Sequence, residues 1–313
     1  MSFQGLEPSE LFPEVPNLYE FLSVHANMVL DKARVDTYDR AIRSTVAPGD
    51  VVMDIGTGTG LLAFMAIDAG ASKVYAIERV SKALRWAEIL AKQHGYGDRI
   101  VFLKRDSRTI DSSELPEKAD VVISELIGHV AFEEGMVESM FHARDSFLKP
   151  SGKMIPQKVQ LVGALVVEQE IYRNCIDCWG PIGNIDYTPL RDEAVNACYL
   201  TSFSDDDLLS LPSTFLEVNL SGDYPPILVA SKFLRANRRG SANGLALWFN
   251  ATLAKGVVLS SSPWQPTHWK QCFAPNVAPI DVEPGDSISV SLSMRLRHSP
   301  SDQFDFHMNM ERV

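Results

Sequence analysis

The segment VVMDIGTGTG, residues 51–60, constrains the fold more than any other stretch of the chain. A β-rich start (Val51, Val52) runs into Asp54. Gly56, Gly58 and Gly60 follow, and then an apolar helix that ends near Gly70. A strand turned sharply into a helix by glycines, whose bare backbone lets a ligand lie close, is the first half of a nucleotide-binding α/β unit. The next strand, KVYAIE, ends in Glu78, about twenty residues on, where an acid typically grips ribose hydroxyls. The spacing narrows the ligand further. A dinucleotide fingerprint, G-x-G-x-x-G, would need a third glycine at position 61, which is Leu61. The form here is D-x-G-x-G-x-G, and an acid ahead of the glycines suits a ligand with a cationic end. S-adenosylmethionine carries an ammonium, a sulfonium and a ribose but no phosphate.

The rest of the first half extends this unit. Ser81 can cap a helix whose inner face holds Ala83, Trp86, Ala87 and Leu90. A third strand (IVFL) precedes Asp106 and Ser107, where α/β enzymes often meet an adenine edge. A fourth (ADVVI) delivers the loop SELIGHVAFEEGM, residues 124–136. Strand–helix alternation implies a doubly wound, mostly parallel Rossmann-like sheet with ligands beyond the strand C-termini. Gly56, Glu78, Asp106 and Glu125 all fall at such ends. Glu125 and Glu134 stand at the two ends of the acidic loop. Two carboxylates turned toward one point invite a planar cation, because a guanidinium offers a fork of N–H donors that they match.

Ahead of this unit, residues 1–18 read as an irregular lead-in rich in Pro, Glu and Ser. From Leu18 to about Val46 the pattern is helical. That helix carries His25, Met28, Asp31, Arg34 and Tyr38 at offsets of three or four, along one strip of its surface. Past Ile155-Pro156 the pattern changes to alternation: Val159, Leu161 and Leu165; Leu216, Val218 and Leu220; Ile288, Val290, Leu292, Met294 and Leu296. Period-two segments with no long helix between them make the second half an antiparallel β sandwich or barrel. Residues 171–200 fit neither pattern and read as an excursion. The expected division is 1–48 for the lead-in and covering helix, 49–154 for the cofactor-binding domain, and 155–313 for the antiparallel substrate domain.

The net charge of −11 over 313 residues argues against a general nucleic-acid or anionic-membrane binder. Four cysteines (Cys175, Cys178, Cys198, Cys272) are too few for a disulfide scaffold in so long a chain, and Cys175-x-x-Cys178 lacks partners at zinc-ligand spacing. No metal is expected. The N-terminus has no basic region followed by an apolar core, and no run of ~18 apolar residues occurs. A cytoplasmic protein is expected.

Together these residues resemble the protein arginine methyltransferases over nearly the whole chain, from about Tyr19 onward. The resemblance rests on the helix with Tyr19, His25, Met28, Asp31, Arg34 and Tyr38; on VVMDIGTGTG; on Glu78; on the two-glutamate loop; and on Thr267-His268-Trp269 in the β half. It implies that Arg34 pairs with the carboxylate of S-adenosylmethionine. Asp54 and the glycines would line the methionine end, and Glu78 would hold the ribose. Glu125 and Glu134 would clamp the substrate guanidinium, and His268 would pair with Asp31 across the two domains. Met28 and Met136 match methionines that limit room around the acceptor nitrogen. His25, Asp106 and Ser107 complete the expected cofactor contacts, and Tyr19, Trp269, His129 and Glu133 the substrate pocket.

Departures bear on the substrate. Leu126 and His129 stand where the family usually has aromatic residues, Glu133 adds a third acid, and the excursion is shorter than the usual dimerisation arm. These changes favour a small guanidine, most simply free L-arginine, with Glu133 or His129 meeting polar groups that a peptide would not present. The alternative is peptidyl arginine, and a remoter one is a non-catalytic scaffold of the same fold. A homodimer would need an atypical interface. Mono- versus asymmetric dimethylation and the adenine contact stay open.

Overall fold

The computed structural model describes residues 18–296 and 305–313; the lead-in expected before Leu18 lies outside them. Five parallel strands form the first sheet: β1 (Val51–Ile55), β2 (Lys73–Glu78), β3 (Ile100–Lys104), β4 (Ala119–Ser124) and β5 (Leu148–Ile155). Their order is β3-β2-β1-β4-β5. Strand order reverses between β1 and β4, which pair directly, with Asp54 opposite Ile123 and Ile55 opposite Ser124. A crevice opens beyond the C-termini of strands at such a reversal, and there parallel α/β sheets bind their ligands. β1 is fully buried because helices cover both faces of the sheet. They are α3 (Leu61–Asp68), α4 (Ser81–Gln93) and α5 (Met136–Phe147). Between β3 and β4 the chain makes only two short 3-10 turns, Ser107–Thr109 and Ser112–Glu114.

The helix expected from Leu18 to Val46 is two. α1 (Leu22–Leu30) stops at Asp31, whose backbone is extended, and α2 (Lys32–Thr45) starts after it. Asp31 caps α2 by accepting the Arg34 N–H at 3.0 Å. A carboxylate in that role is worth about 1 kcal/mol. Hydrophobic spacing alone carries no trace of the break, since apolar positions continue in phase across it. The expected cap on α4 also differs: Ser81 is the first helical residue and the preceding Val80 makes no side-chain cap.

The second half begins with β6 (Lys158–Val166). A six-stranded sheet is built from β6, β9 (Tyr199–Thr201), β10 (Ser213–Asn219), β12 (Gly240–Ala254), β13 (Val257–Ser260) and β14 (Gln271–Val282). A three-stranded sheet joins β11 (Ile227–Arg235), β15 (Ser287–Arg295) and β16 (Asp305–Arg312). All pairings in both sheets are antiparallel. The sheets meet along two seams. One is the Ser210–Ala236 bridge, and the other is where Asn276 Oδ1 accepts the Met310 N–H at 3.0 Å. The excursion folds into the short helical turns Gln169–Ile171 and Tyr172–Ile176, a hairpin of β7 (Pro181–Ile182) and β8 (Ile185–Asp186), and α6 (Pro189–Val195). Its base, through Tyr172, Ile176 and Val195, packs on the outer face of the six-stranded sheet against Val162, Trp248 and Phe273. Ile182 and Ile185 at the hairpin remain 60% and 58% exposed.

One apolar core runs through both halves, from Tyr38 and Ile42 on α2 through β1 and β4 to Leu161, Phe249 and Val290. Gly244 marks its tightest crossing: a Cβ there would stand 2.3 Å from the Ala274 carbonyl oxygen and 2.6 Å from the Phe273 ring. Backbone cannot yield as a side chain can, so Gly244→Ala is expected to destabilise the protein by about 1–3 kcal/mol. Denaturant unfolding monitored by tryptophan fluorescence measures this, and an unchanged midpoint would contradict it.

Candidate active site

Residues from both halves converge on the crevice beyond β1 and β4. At the end of β1, Asp54 is fully buried, and its Oδ2 accepts the Thr57 hydroxyl at 2.6 Å. Burial pushes its carboxyl up to about 7, against the Thr57 bond and the N–H of Ala63 in the first turn of α3. Oδ1 has no partner. Gly56, Gly58 and Gly60 all have positive φ (73°, 55° and 88°), which a side chain would resist. Glu78, at the end of β2, closes the loop: Oε2 accepts the Gly58 N–H at 3.0 Å and Oε1 the Val80 N–H at 2.8 Å. His25 lies over Gly58, edge-on to Trp86, with Nε2 2.9 Å from the Tyr19 carbonyl. Leu126 fills the space above Gly56, where a Cβ would lie 2.6 Å from its Cδ2.

Glu125 follows the last residue of β4, and its side chain is 5% exposed. Its Oε2 receives Arg34 Nε at 2.6 Å and Nη2 at 2.5 Å. The remaining Arg34 amino group donates to the Met28 carbonyl at 3.0 Å. Burial raises the Glu125 carboxyl above its usual range; Arg34 opposes this, and Glu134 adds to it. The residue expected to hold a cofactor carboxylate is thus placed on the residue expected to hold the acceptor. Glu134 lies at the mouth, exposed as a residue, with Oε2 accepting the Tyr19 hydroxyl at 2.7 Å. Burial of the phenol, and then the Glu134 charge, keep that hydroxyl protonated.

The second half contributes a brace. Asp31 Oδ2 accepts the His268 backbone N–H at 2.8 Å and lies 2.7 Å from Nδ1. Burial works against ionisation of Asp31, but the bonds from Arg34 and His268 outweigh it and hold its carboxyl below the usual range. Burial, helped by the Arg34 charge, holds the His268 imidazole below its usual range, against Asp31 and Glu125. A neutral ring beside an ionised carboxylate must carry its proton on Nδ1, which leaves Nε2 as a base. Trp269 is buried against Phe249, and its Nε1 donates to the Ile127 carbonyl at 2.9 Å, fixing the start of the acidic loop.

Two expected pocket residues turn elsewhere. Glu133 folds back onto its own loop, accepting the Val130 N–H at 3.0 Å (Oε1) and 3.2 Å (Oε2). His129 Nδ1 lies 3.1 Å from the Lys270 carbonyl, so it ties the loop to the β half. Asp106 is gripped by Arg108 through two side-chain bonds of 3.0 Å and 2.7 Å, which hold its carboxyl low. Ser107 beside it is buried, as is Met136 at the start of α5, while Met28 is half-buried. Three contributors were not among the expected site residues. Thr57 and Arg108 had signals, lying inside a motif and beside an expected contact. Arg79, whose charge faces Tyr19, Asp106 and Glu134, had none. Tyr38, expected on the helical strip, donates its hydroxyl to the Ser124 carbonyl at 2.9 Å.

The raised Asp54 carboxyl gives a signed expectation. Its folded value lies above its unfolded one, so its contribution to stability is full below the unfolded value and is lost as pH rises through about 7. Asp54→Asn keeps an acceptor for Thr57 and removes the titration. The variant's melting temperature should therefore fall less than the wild type's between about pH 5.5 and about pH 8. Parallel curves in a thermal-shift series would refute this.

Comparison with known proteins matches both halves. A methyltransferase domain model covers residues 47–194, and a model described as the arginine methyltransferase oligomerization subdomain covers residues 161–311. The chain is 29% identical to protein arginine N-methyltransferase 6 of Xenopus laevis, over 96% of this chain and 91% of that one. It is 32% identical to the histone-arginine methyltransferase CARMER of Drosophila yakuba, over 93% of this chain but 57% of that longer protein. Among solved structures, the Trypanosoma brucei PRMT1 enzyme–prozyme heterotetrameric complex with AdoHcy superposes with a TM-score of 0.81 at 20% identity, covering 95% of this chain and 100% of that one. Arabidopsis thaliana protein arginine methyltransferase 10 gives 0.77 at 24% identity, covering 94% and 98%. At those identities the structures establish the fold, a parallel Rossmann-like sheet followed by an antiparallel β domain. With both family domains present in order, the chain belongs to the S-adenosylmethionine-dependent protein arginine methyltransferase family.

Proposed function

We propose that this enzyme methylates the guanidino group of arginine within peptides or proteins. The observation that carries the reading is the buried Glu125 carboxylate, which already accepts the Nε–H of a guanidinium, that of Arg34, and pairs with its Nη2 as well. An acceptor arginine presents the same fork. The relatives favour a protein substrate, being named protein or histone arginine methyltransferases. The expectation of free arginine loses its footing as well. It relied on Glu133 and His129 meeting polar groups of a small substrate, and both side chains are engaged within the protein.

The site's residues fit S-adenosylmethionine. Three left-handed glycines turn the backbone sharply at the end of β1, and Asp54 Oδ1, without a partner among the described residues, suits a cationic end. Asp54 and the glycine loop would hold that end, and Glu78 the ribose. Arg34 would exchange Glu125 for the carboxylate. When bound, the group supplies an electrophilic methyl on a sulfonium. A guanidinium, with pKa above ~12, is a poor nucleophile until one nitrogen is oriented and its charge drawn elsewhere. Glu125 and Glu134 would do this from two sides, so catalysis is mostly positioning and electrostatics. The proton released has two acceptors, Glu134 and His268 Nε2.

Assembly of two copies through the β7–β8 hairpin belongs to the same proposal, since Ile182 and Ile185 are exposed there and the second half matches an oligomerization subdomain. Glu125→Gln should lower turnover by about 10²-fold or more, with S-adenosylmethionine binding by calorimetry retained. Labelled methyl should pass to an Arg/Gly-rich peptide and not to free arginine. The reverse pattern would restore the small-guanidine substrate.

A further inference from the structure

The mechanism leaves one carboxylate without a task, Glu133. It sits inside the acidic loop, next to Glu134, and three observations describe its seat. Its two oxygens hold the Val130 N–H. The carboxyl group lies flat on Gly128, where an added Cβ would stand 2.1 Å from Cδ and 2.2 Å and 2.4 Å from the oxygens. Between these points Ala131 adopts φ 74°, the one non-glycine residue with positive φ among those described. A left-handed alanine costs energy and persists only where its surroundings over-determine it. Here the Ala131 N–H also bonds the Gly128 carbonyl at 3.1 Å, so the loop is a tight turn closed over the carboxylate.

Resting on the proposed reaction, we propose that Glu133 is the positioning residue of the acidic loop: its carboxylate, seated on Gly128 and bonded to Val130, holds the strained turn that sets Glu134 relative to Glu125. The turn is the only chain between the two acids. Its outer side is anchored by His129 to the Lys270 carbonyl and by Ile127 to Trp269, so slack in the turn has one outlet, the Glu134 end. Glu133 also acts through its charge. Glu134 is faced by Tyr19, Glu133, His129, Arg79 and Glu125; loss of water around its carboxyl raises it most, and Glu133 raises it further. Glu133 itself is faced by backbone N–H groups of residues 129, 130, 132 and 133, and by Cys198 and Cys272 from the β half.

The test is steady-state methylation of an arginine peptide by the full chain as wild type, Glu133→Gln, Glu133→Ala, Gly128→Ala and the Glu133→Ala/Gly128→Ala double variant. Each is checked for folding by thermal unfolding and for cofactor binding by calorimetry. Glu133→Ala and Gly128→Ala should each lower kcat by about 10²-fold, the scale of an ångström-sized misplacement, with cofactor affinity kept. The double variant should lose no more than either, because both changes empty or block one seat. Glu133→Gln, whose carbonyl can still accept from Val130, should recover most of kcat, with the acid limb of kcat/KM moved to lower pH. Additive losses, or a Glu133→Gln variant with an unmoved limb, would overturn the proposal. Should Glu133→Ala fail to fold, the Glu133→Gln pH profile decides alone. A wild type inactive on every guanidine would instead remove the proposed function.

Discussion

One carboxylate, Asp31, carries more of the architecture than its size suggests. Its Oδ1 caps α2, and its Oδ2 takes both the backbone and the ring N–H of His268 from the other half of the chain. The break between α1 and α2 therefore exists where it does because a residue 237 positions away is bonded there. With α1 swung off the axis of α2, Met28 can offer its carbonyl to Arg34, and His25 comes to lie over Gly58. The lid of the cofactor crevice and the brace of the acceptor site are thus set by one ion.

Charge is concentrated around that brace in an unusual way. Asp54, Glu125 and Glu134 are all raised above their ordinary range, while Asp31 and Asp106 are held below it. The low pair are structural: Asp106 is held by Arg108 beside it, and Asp31 by Arg34 and by His268 from the other half. Those that are raised point into space where a cation would relieve them, and Arg34 supplies part of that relief to Glu125. Glu133 is raised by burial too, yet its oxygens are taken by the Val130 N–H, so a raised carboxyl marks a reactive acid only where the fold leaves it room for a cation.

Much of this was legible in the sequence, and the limits have a common cause. The D-x-G-x-G-x-G turn, Glu78 and the alternating strands of the second half are local signals, and local signals survived folding unchanged. The helix break at Asp31, the pairing of Arg34 with Glu125 and the inward turn of Glu133 depend on contacts across 237, 91 and 3 positions respectively. The last is instructive because it is short in sequence and was still misread. A run of two glutamates gives no hint that one meets the Tyr19 hydroxyl and the other the Gly128 backbone; the left-handed Ala131, two positions ahead of Glu133, shapes the turn that makes that division. Short loops conceal such choices because backbone strain leaves no mark in composition.

The unbroken apolar core shared by the two halves has a consequence for how such chains can diversify. A β half grafted from a relative would arrive without its matching Asp31, Ile127 and Tyr38 surroundings, and would meet the cofactor half as a stranger, not as a replaceable cassette. Drift in the barrel must therefore be answered by compensating drift in the helices that precede the first strand. Recombination between lineages would be expected to spare this junction and to cut instead within the hairpin excursion, where few side chains owe their position to the catalytic crevice.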